Sequence, residues 1–129
     1  MNNQITDNYI YQEESSKIIS ACYEVHNLLG GGFLEAVYHE ALEIVLKEKQ
    51  IPFESEKKLE IRFKNVTLKK HYYADIICYG QIILELKACE ALTHEHTSQM
   101  LNYLRATGLK LGLLINFGTP KVQIKRVIL

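Results

Sequence analysis

The run Ile82-Ile83-Leu84-Glu85-Leu86-Lys87 constrains the fold more than any other stretch of this chain. Successive strand residues point to opposite faces. Three consecutive aliphatic residues therefore need apolar cover on both sides, as on a central strand of a sheet packed on two faces. Leu111–Phe117 reads as another apolar strand. Cover on two faces calls for helices, and the rest of the sequence supplies them.

A helix is predicted from Glu13 to Leu29, where Ile18, Ile19, Cys22, Val25 and Leu29 recur at helical spacing. Gly30, Gly31 and Gly32 end it. A second helix is predicted from Leu34 to Lys49, with Leu34, Val37, Tyr38, Ala41, Leu42 and Val45 as its buried stripe. Pro52 marks its exit. The period then changes to two at Leu59, Ile61 and Phe63. Asn65 turns the chain into a strand over Val66–Cys78, and Tyr79-Gly80-Gln81 connects that strand to Ile82–Ala88. A third helix is expected over His94–Ala106, with Met100, Leu101, Tyr103 and Leu104 on its apolar face and Gly108 as its cap. After Gly118-Thr119-Pro120, residues Val122–Ile128 alternate as an edge strand. The predicted order is α-α-β-β-β-α-β-β, an α/β fold with a mixed central sheet flanked by helices. Residues 1–12 are expected to be a loose arm and residues 13–129 a single domain, which suits a chain of 129 residues.

The formal net charge is zero, so no basic field extends over the whole molecule. The charges are nevertheless divided. Residues 1–56 hold three basic and ten acidic residues; residues 57–129 hold twelve basic and five acidic ones. The basic excess begins with Lys57, Lys58, Arg62, Lys64, Lys69 and Lys70. A run of this kind is either a solvated strand face or a patch that tracks phosphates. The three cysteines, Cys22, Cys78 and Cys89, form no CxxC pair and read as small core residues. The polar, acidic N-terminus is unlike a secretory leader. No apolar run approaches the roughly 20 residues of a membrane span. A cytoplasmic location with reduced thiols is the expectation.

The chemistry gathers at Asp75, Glu85 and Lys87. A hairpin at residues 79–81 brings Asp75 almost opposite Glu85. Glu85 and Lys87, two apart on one strand, share a face. Charges in so apolar a sheet are costly unless paired or bound to metal. Two hard oxygen donors suit Mg²⁺ or Mn²⁺. The competing explanation is an internal ion pair from Lys87 to Glu85 or Asp75.

Asp75 followed ten residues later by Glu85-Leu86-Lys87 resembles the (P)D…(D/E)xK signature of the restriction-endonuclease-like, or PD-(D/E)XK, nuclease superfamily. The order of elements is similar to its αβββαβ core. Ala74 replaces the signature's proline, a position that is not a metal ligand in the superfamily. Gly32-Phe33-Leu34-Glu35-Ala36-Val37-Tyr38 reads as GxxExxY and resembles the bacterial GxxExxY proteins, which are assigned to the same superfamily. The resemblance runs from about Ile18 to the C-terminus.

The resemblance implies a restriction-endonuclease-like core and a metal-dependent nuclease. Asp75, Glu85 and the Leu86 carbonyl would hold Mg²⁺ (or Mn²⁺), with Glu35 as a further carboxylate and Lys87 assisting catalysis. Tyr38, which shares the helix face of Glu35, would hold it or contact a phosphate of the substrate. Glu35 has a plainer reading as an acidic residue favouring a helix N-terminus, and Tyr38 has one as a core aromatic. Gln99 and Tyr103 form a QxxxY pair that resembles a motif in RecB-like and lambda-exonuclease-like members. There Gln99 would help place substrate or the catalytic lysine. His94-Glu95-His96 reads as a solvated helix start, because histidines two apart on a helix diverge. His71, four residues before Asp75, shares its strand face and could contact a phosphate.

The partner implied is nucleic acid, DNA before RNA, with no membrane. A homodimer paired through the apolar last strand, Val127-Ile128-Leu129, is a further expectation. Two other classes compete: a nuclease-like module that binds nucleic acid or a protein without cutting, and a metal-dependent hydrolase of a small phosphate compound. Gly30–Gly32 lacks the Gly-Lys-Ser/Thr of a Walker loop, which counts against an ATPase.

Overall fold

A computed structural model describes residues 10–129. Its elements are α1 (Gln12–Leu29), α2 (Glu35–Glu48), β1 (Phe53–Phe63), β2 (Val66–Cys78), β3 (Ile82–Lys87), α3 (His94–Thr107), β4 (Leu111–Asn116) and β5 (Gln123–Ile128). The predicted α/β architecture and order are those observed. Most of the arm expected at residues 1–12 lies outside the described residues. Within it, Ile10 and Tyr11 pack against the core, and Arg126 Nη2 donates to the Ile10 carbonyl at 2.8 Å.

The five strands lie side by side in sequence order. β1–β2, β2–β3 and β4–β5 are antiparallel, whereas β3 and β4 run parallel. A parallel neighbour needs a crossover connection, and α3 provides it. α3 thereby covers one face of the sheet, and α1 and α2 cover the other.

Alternation along β3 divides the core accordingly. Ile82, Leu84 and Leu86 join Ile18, Cys22, Tyr38 and Leu42 under α1 and α2. Ile83 joins Met100, Tyr103 and Leu104 under α3. Ile82, Ile83 and Leu84 are all fully buried, as a central strand requires. Gly112 on β4 lets α3 approach closely, since a methyl group there would fall on the Met100 side chain. Cys22 and Cys78 are buried and Cys89 half-buried, all three as free thiols. No described helix is long and apolar enough to cross a membrane.

Three details differ from expectation. β1 begins at Phe53, six residues before Leu59; Glu54, Glu56, Lys57 and Lys58 are charged positions on this edge strand and mask its alternation. Leu34 and Val37 are exposed rather than buried, because the packed stripe of α2 starts at Tyr38 and continues through Leu42, Val45 and Leu46. Leu34 is the cap before α2, and the first turn, with Glu35, stands clear of the core. On β5, Val127 and Ile128 pack into the chain's own core, so the apolar character of that strand is accounted for without a second copy.

Candidate active site

The hydrogen-bonded seam between β2 and β3 is short. Ile76 pairs with Leu84, Ile77 with Ile83 and Cys78 with Ile82. One step further, Asp75 and Glu85 face each other and their side chains take over from the ladder. The Asp75 N–H donates to Glu85 Oε2 at 2.8 Å, and the Leu86 N–H donates to Asp75 Oδ2 at 2.8 Å. The two carboxylates thus satisfy backbone groups exposed by the parting strands. Each keeps its other oxygen, Asp75 Oδ1 and Glu85 Oε1, clear of backbone donors among the described residues. The strand pleat also changes here: Ala74 packs under α3, while Ile76, two residues on, packs under α1 and α2.

Glu85 is only 4% exposed. Burial pushes its carboxyl up to about 8; the Asp75 charge and a side-chain hydrogen bond with Asp75 push the same way, against the Asp75 N–H and the Lys87 charge. The pair therefore retains a proton near neutral pH. None of the ion pairs among the described residues involves Asp75, Glu85 or Lys87. The structure therefore lacks the internal ion pair that would have explained these residues without function.

Lys87 is half-buried and shares the Glu85 face by alternation. Its backbone is held firmly. The Phe117 N–H donates to the Lys87 carbonyl at 2.8 Å. Fully buried Asn116 binds the segment that follows: its Oδ1 accepts from Cys89 N–H and Gly118 N–H, both at 3.0 Å, and its Nδ2 donates to the Cys89 carbonyl at 2.9 Å. Gly118 has to be glycine, because a Cβ there would collide with the Ala88–Cys89 backbone. Sequence reading missed Asn116. Its signal is a lone amide at the end of the apolar run Leu111–Ile115.

Glu35 opens α2. Much of it meets solvent, yet enough is enclosed that burial raises its carboxyl above the ordinary range. Lys87 opposes the shift, Asp75 adds to it, and His39 and His96 oppose it. Glu35 thus shares the electrostatic surroundings of Lys87 and Asp75. His39 and His96 were not singled out from sequence as neighbours of the site. His96 also completes the start of α3: its Nδ1 accepts from Thr93 N–H at 3.1 Å in a reciprocal capping box. The expected helix start at His94-Glu95-His96 is therefore present, with a second connection.

Tyr103 is 6% exposed and packs against the Tyr72 ring at a centroid distance of 5.0 Å. Burial pushes its hydroxyl up to about 12, reinforced by the charges of Glu85 and Asp75 and by Tyr72. Gln99 lies one turn earlier on the same side of α3 and is exposed. Tyr38 has a different place. It is fully buried, its ring stacks on Phe117 at 4.7 Å, and its hydroxyl donates to the Gly30 carbonyl at 2.7 Å and accepts from Phe33 N–H at 3.3 Å. It fixes the glycine turn that leads into Glu35. His71 makes an edge contact with exposed Tyr73, and its Nδ1 lies 3.0 Å from the Lys69 carbonyl.

Among the described residues, no three His, Cys, Asp or Glu side chains form a ready-made metal cage. The donors present suit a cation that keeps most of its own water. Asp75 and Glu85 each offer an oxygen not engaged by the backbone. The Leu86 carbonyl points to the same side as its N–H, towards Asp75, by the alternation of backbone groups along a strand. Mg²⁺ is commonly held by one or two carboxylates together with waters and substrate phosphates.

The sequence model of the PD-(D/E)XK nuclease superfamily matches residues 12–127. The chain belongs to this superfamily. No curated protein matches it. Among solved structures, the crystal structure of SSO0001 is similar, with a TM-score of 0.57 and 24% identity over 73% of this chain. This chain covers 50% of SSO0001, about half its length, and the likeness is one of fold. Asp75, Glu85, Leu86 and Lys87 lie within the matched residues, where the β2–β3 ladder opens.

Proposed function

We propose that this protein is a metal-dependent nuclease that hydrolyses phosphodiester bonds in nucleic acid, DNA in preference to RNA. Membership of the nuclease superfamily supports the class. The observation that carries the reading is the open end of the β2–β3 seam. There, two carboxylates are each anchored through one oxygen to a backbone N–H, each has its other oxygen clear of the backbone, and a lysine on the same strand has no ion-pair partner among the described residues.

In this reading Asp75, Glu85 and the Leu86 carbonyl hold Mg²⁺ or Mn²⁺, with Glu35 reached through water. The ion, when bound, lowers the pKa of a water and offsets charge developing on the phosphate. Lys87, without an ion-pair partner among the described residues, brings its ammonium to the attacking water or the phosphate, and the Asn116 clamp keeps its strand in place. Tyr103 donates its hydroxyl, which the neighbouring carboxylates discourage from ionising. Gln99 presents its amide to substrate. Glu35 and Tyr38 divide the GxxExxY motif: Tyr38 builds the turn and Glu35 faces the site. This division of labour supports placing the chain with the GxxExxY proteins.

Purified protein is incubated with Mg²⁺ or Mn²⁺ and circular duplex DNA, linear duplex DNA, single-stranded DNA or RNA. Cleavage that a chelator stops and Lys87→Ala abolishes is the expected result. Cleavage by Lys87→Ala equal to that of the wild type contradicts the assignment. Absence of cutting by the folded, metal-loaded protein moves the reading to a binding module.

A further inference from the structure

β1 and β2 extend beyond the rest of the sheet. β3 pairs with β2 only at residues 76–78, whereas β2 begins at Val66. At about 3.3 Å per residue, the ribbon runs for up to roughly 30 Å past Asp75. From Arg62 to Lys70 every residue is exposed. Residues 57–70 hold six basic residues and one acidic residue. Of the basic ones, only Lys57 is in an ion pair among the described residues, with Glu54. The register shifts after Glu60, so that Lys69 and Lys70 fall in a bulge, a feature that increases ribbon twist. The tip is apolar: Phe63 and Val66 face each other across the turn and are 61% and 62% exposed.

Between this arm and α3 lies a cleft of about 390 Å³, lined by Ile61, Arg62, Tyr72, Asn102, Arg105 and Ala106. Arg62 and Arg105 reach it from its two sides, and neither forms an ion pair among the described residues. Arg105 Nη1 donates to Asn102 Oδ1 at 3.3 Å, which leaves most of its guanidinium donors free among the described residues. Tyr72 connects the cleft to Tyr103 and so to the carboxylate pair.

We infer that the β1–β2 arm and α3 form the two walls of a channel for duplex DNA, in which Arg62 and Arg105 each bind a phosphate. This deepens the nuclease reading and rests on it for what happens to the bound strand. A two-stranded ribbon fits the B-form major groove, about 12 Å wide. The A-form major groove of duplex RNA is too deep and narrow for side chains to read. The basic shaft follows phosphates while the Phe63–Val66 tip enters the groove. Charge complementarity identifies the occupant, because residues 57–70 hold six basic residues and one acidic one in a molecule whose formal net charge is zero, so that the rest of it is acidic.

The test measures binding with Ca²⁺ in place of Mg²⁺, so that affinity is read without cutting. A labelled duplex of about 24 base pairs of DNA is titrated from about 50 to 200 mM salt, beside the matching RNA duplex and single-stranded DNA. Arg62→Ala/Arg105→Ala is expected to weaken duplex-DNA binding at least tenfold. It should also reduce the slope of log affinity against log salt by about 2, roughly 0.9 for each phosphate no longer neutralised. Lys47→Ala/Lys110→Ala, at the Cys78–Ile82 end of the sheet, keeps the wild-type slope. Phe63→Ser weakens binding and leaves the slope unchanged. Unaltered affinity and slope in the double arginine variant, at an unchanged unfolding midpoint, would overturn the channel. Equal affinity for the RNA duplex or the single strand would overturn its assignment to duplex DNA. Arm-dependent binding without cutting in Mg²⁺ would leave the channel standing and remove the nuclease reading. Cutting with no arginine dependence would do the reverse.

Discussion

At one end of the β2–β3 seam, Ile76, Ile77 and Cys78 pair with Leu84, Ile83 and Ile82 in an unbroken ladder between two apolar layers. At the other end, one residue further, Asp75 and Glu85 meet and their carboxylates accept the N–H groups that the ladder has released. The closed end fixes the register. The open end uses it, because a slip of one residue would turn Glu85 and Lys87 to the opposite face. Buried Glu85 and half-buried Asp75 survive in so apolar a sheet because the parting strands supply a donor for one oxygen of each. Stability and chemistry are therefore separated by a single residue step, and substitutions on either side of that step should behave differently.

The largest contrast is expected at Lys87. Lys87→Ala should reduce cleavage on the order of 10²–10⁴-fold, the range of a lost proton-transfer or charge-stabilising group. Its thermal unfolding midpoint should stay close to that of the wild type, because no ion pair among the described residues is broken. A large fall in the midpoint would erase the distinction between the two ends.

Ile83→Ala, at the closed end, should do the opposite. Removing a fully buried side chain from the α3 cluster costs roughly 2–5 kcal/mol. Urea titration measures the loss, and activity per folded molecule should be retained.

At the open end, Glu85 makes stability depend on pH. Its folded-state carboxyl is raised from 4.5 to about 8, so between these values the folded chain binds more protons than the unfolded one. Stability without metal therefore falls as pH rises through this window, by an amount on the order of a few kcal/mol. Glu85→Gln should remove most of the slope. Urea unfolding in chelator at about pH 5 and about pH 8 tests this, and parallel behaviour of the two proteins would contradict it.

The smallest effect belongs to Tyr38→Phe. Two hydrogen bonds to the turn before Glu35 are lost, at about 1 kcal/mol each. Activity should fall modestly through a displaced Glu35, and Glu35→Gln should then add little to the double variant.

Much of this site was legible because it depends on local register. The hairpin at 79–81 dictates that Asp75 opposes Glu85, and alternation then places Lys87 with Glu85. Asn116 was not legible in this way. Its role depends on β4 lying parallel beside β3, and the sequence does not state strand order. His96 was read as a helix start, which it is, but its approach to Glu35 depends on how α3 and α2 meet across the sheet. Leu34 and Val37 were placed in the core because helical period reports which face is apolar and not how far along the helix the core extends. The first six residues of β1 were hidden by charged side chains on an edge strand.

Titration of Mn²⁺ into the protein by calorimetry, in two buffers of different ionisation enthalpy, tests the metal-binding pair most directly. Near neutral pH one site per chain and release of close to one proton from the Asp75–Glu85 pair are expected, with both signals lost in Asp75→Asn. Binding that persists undiminished in Asp75→Asn, or that exchanges no proton, would contradict it.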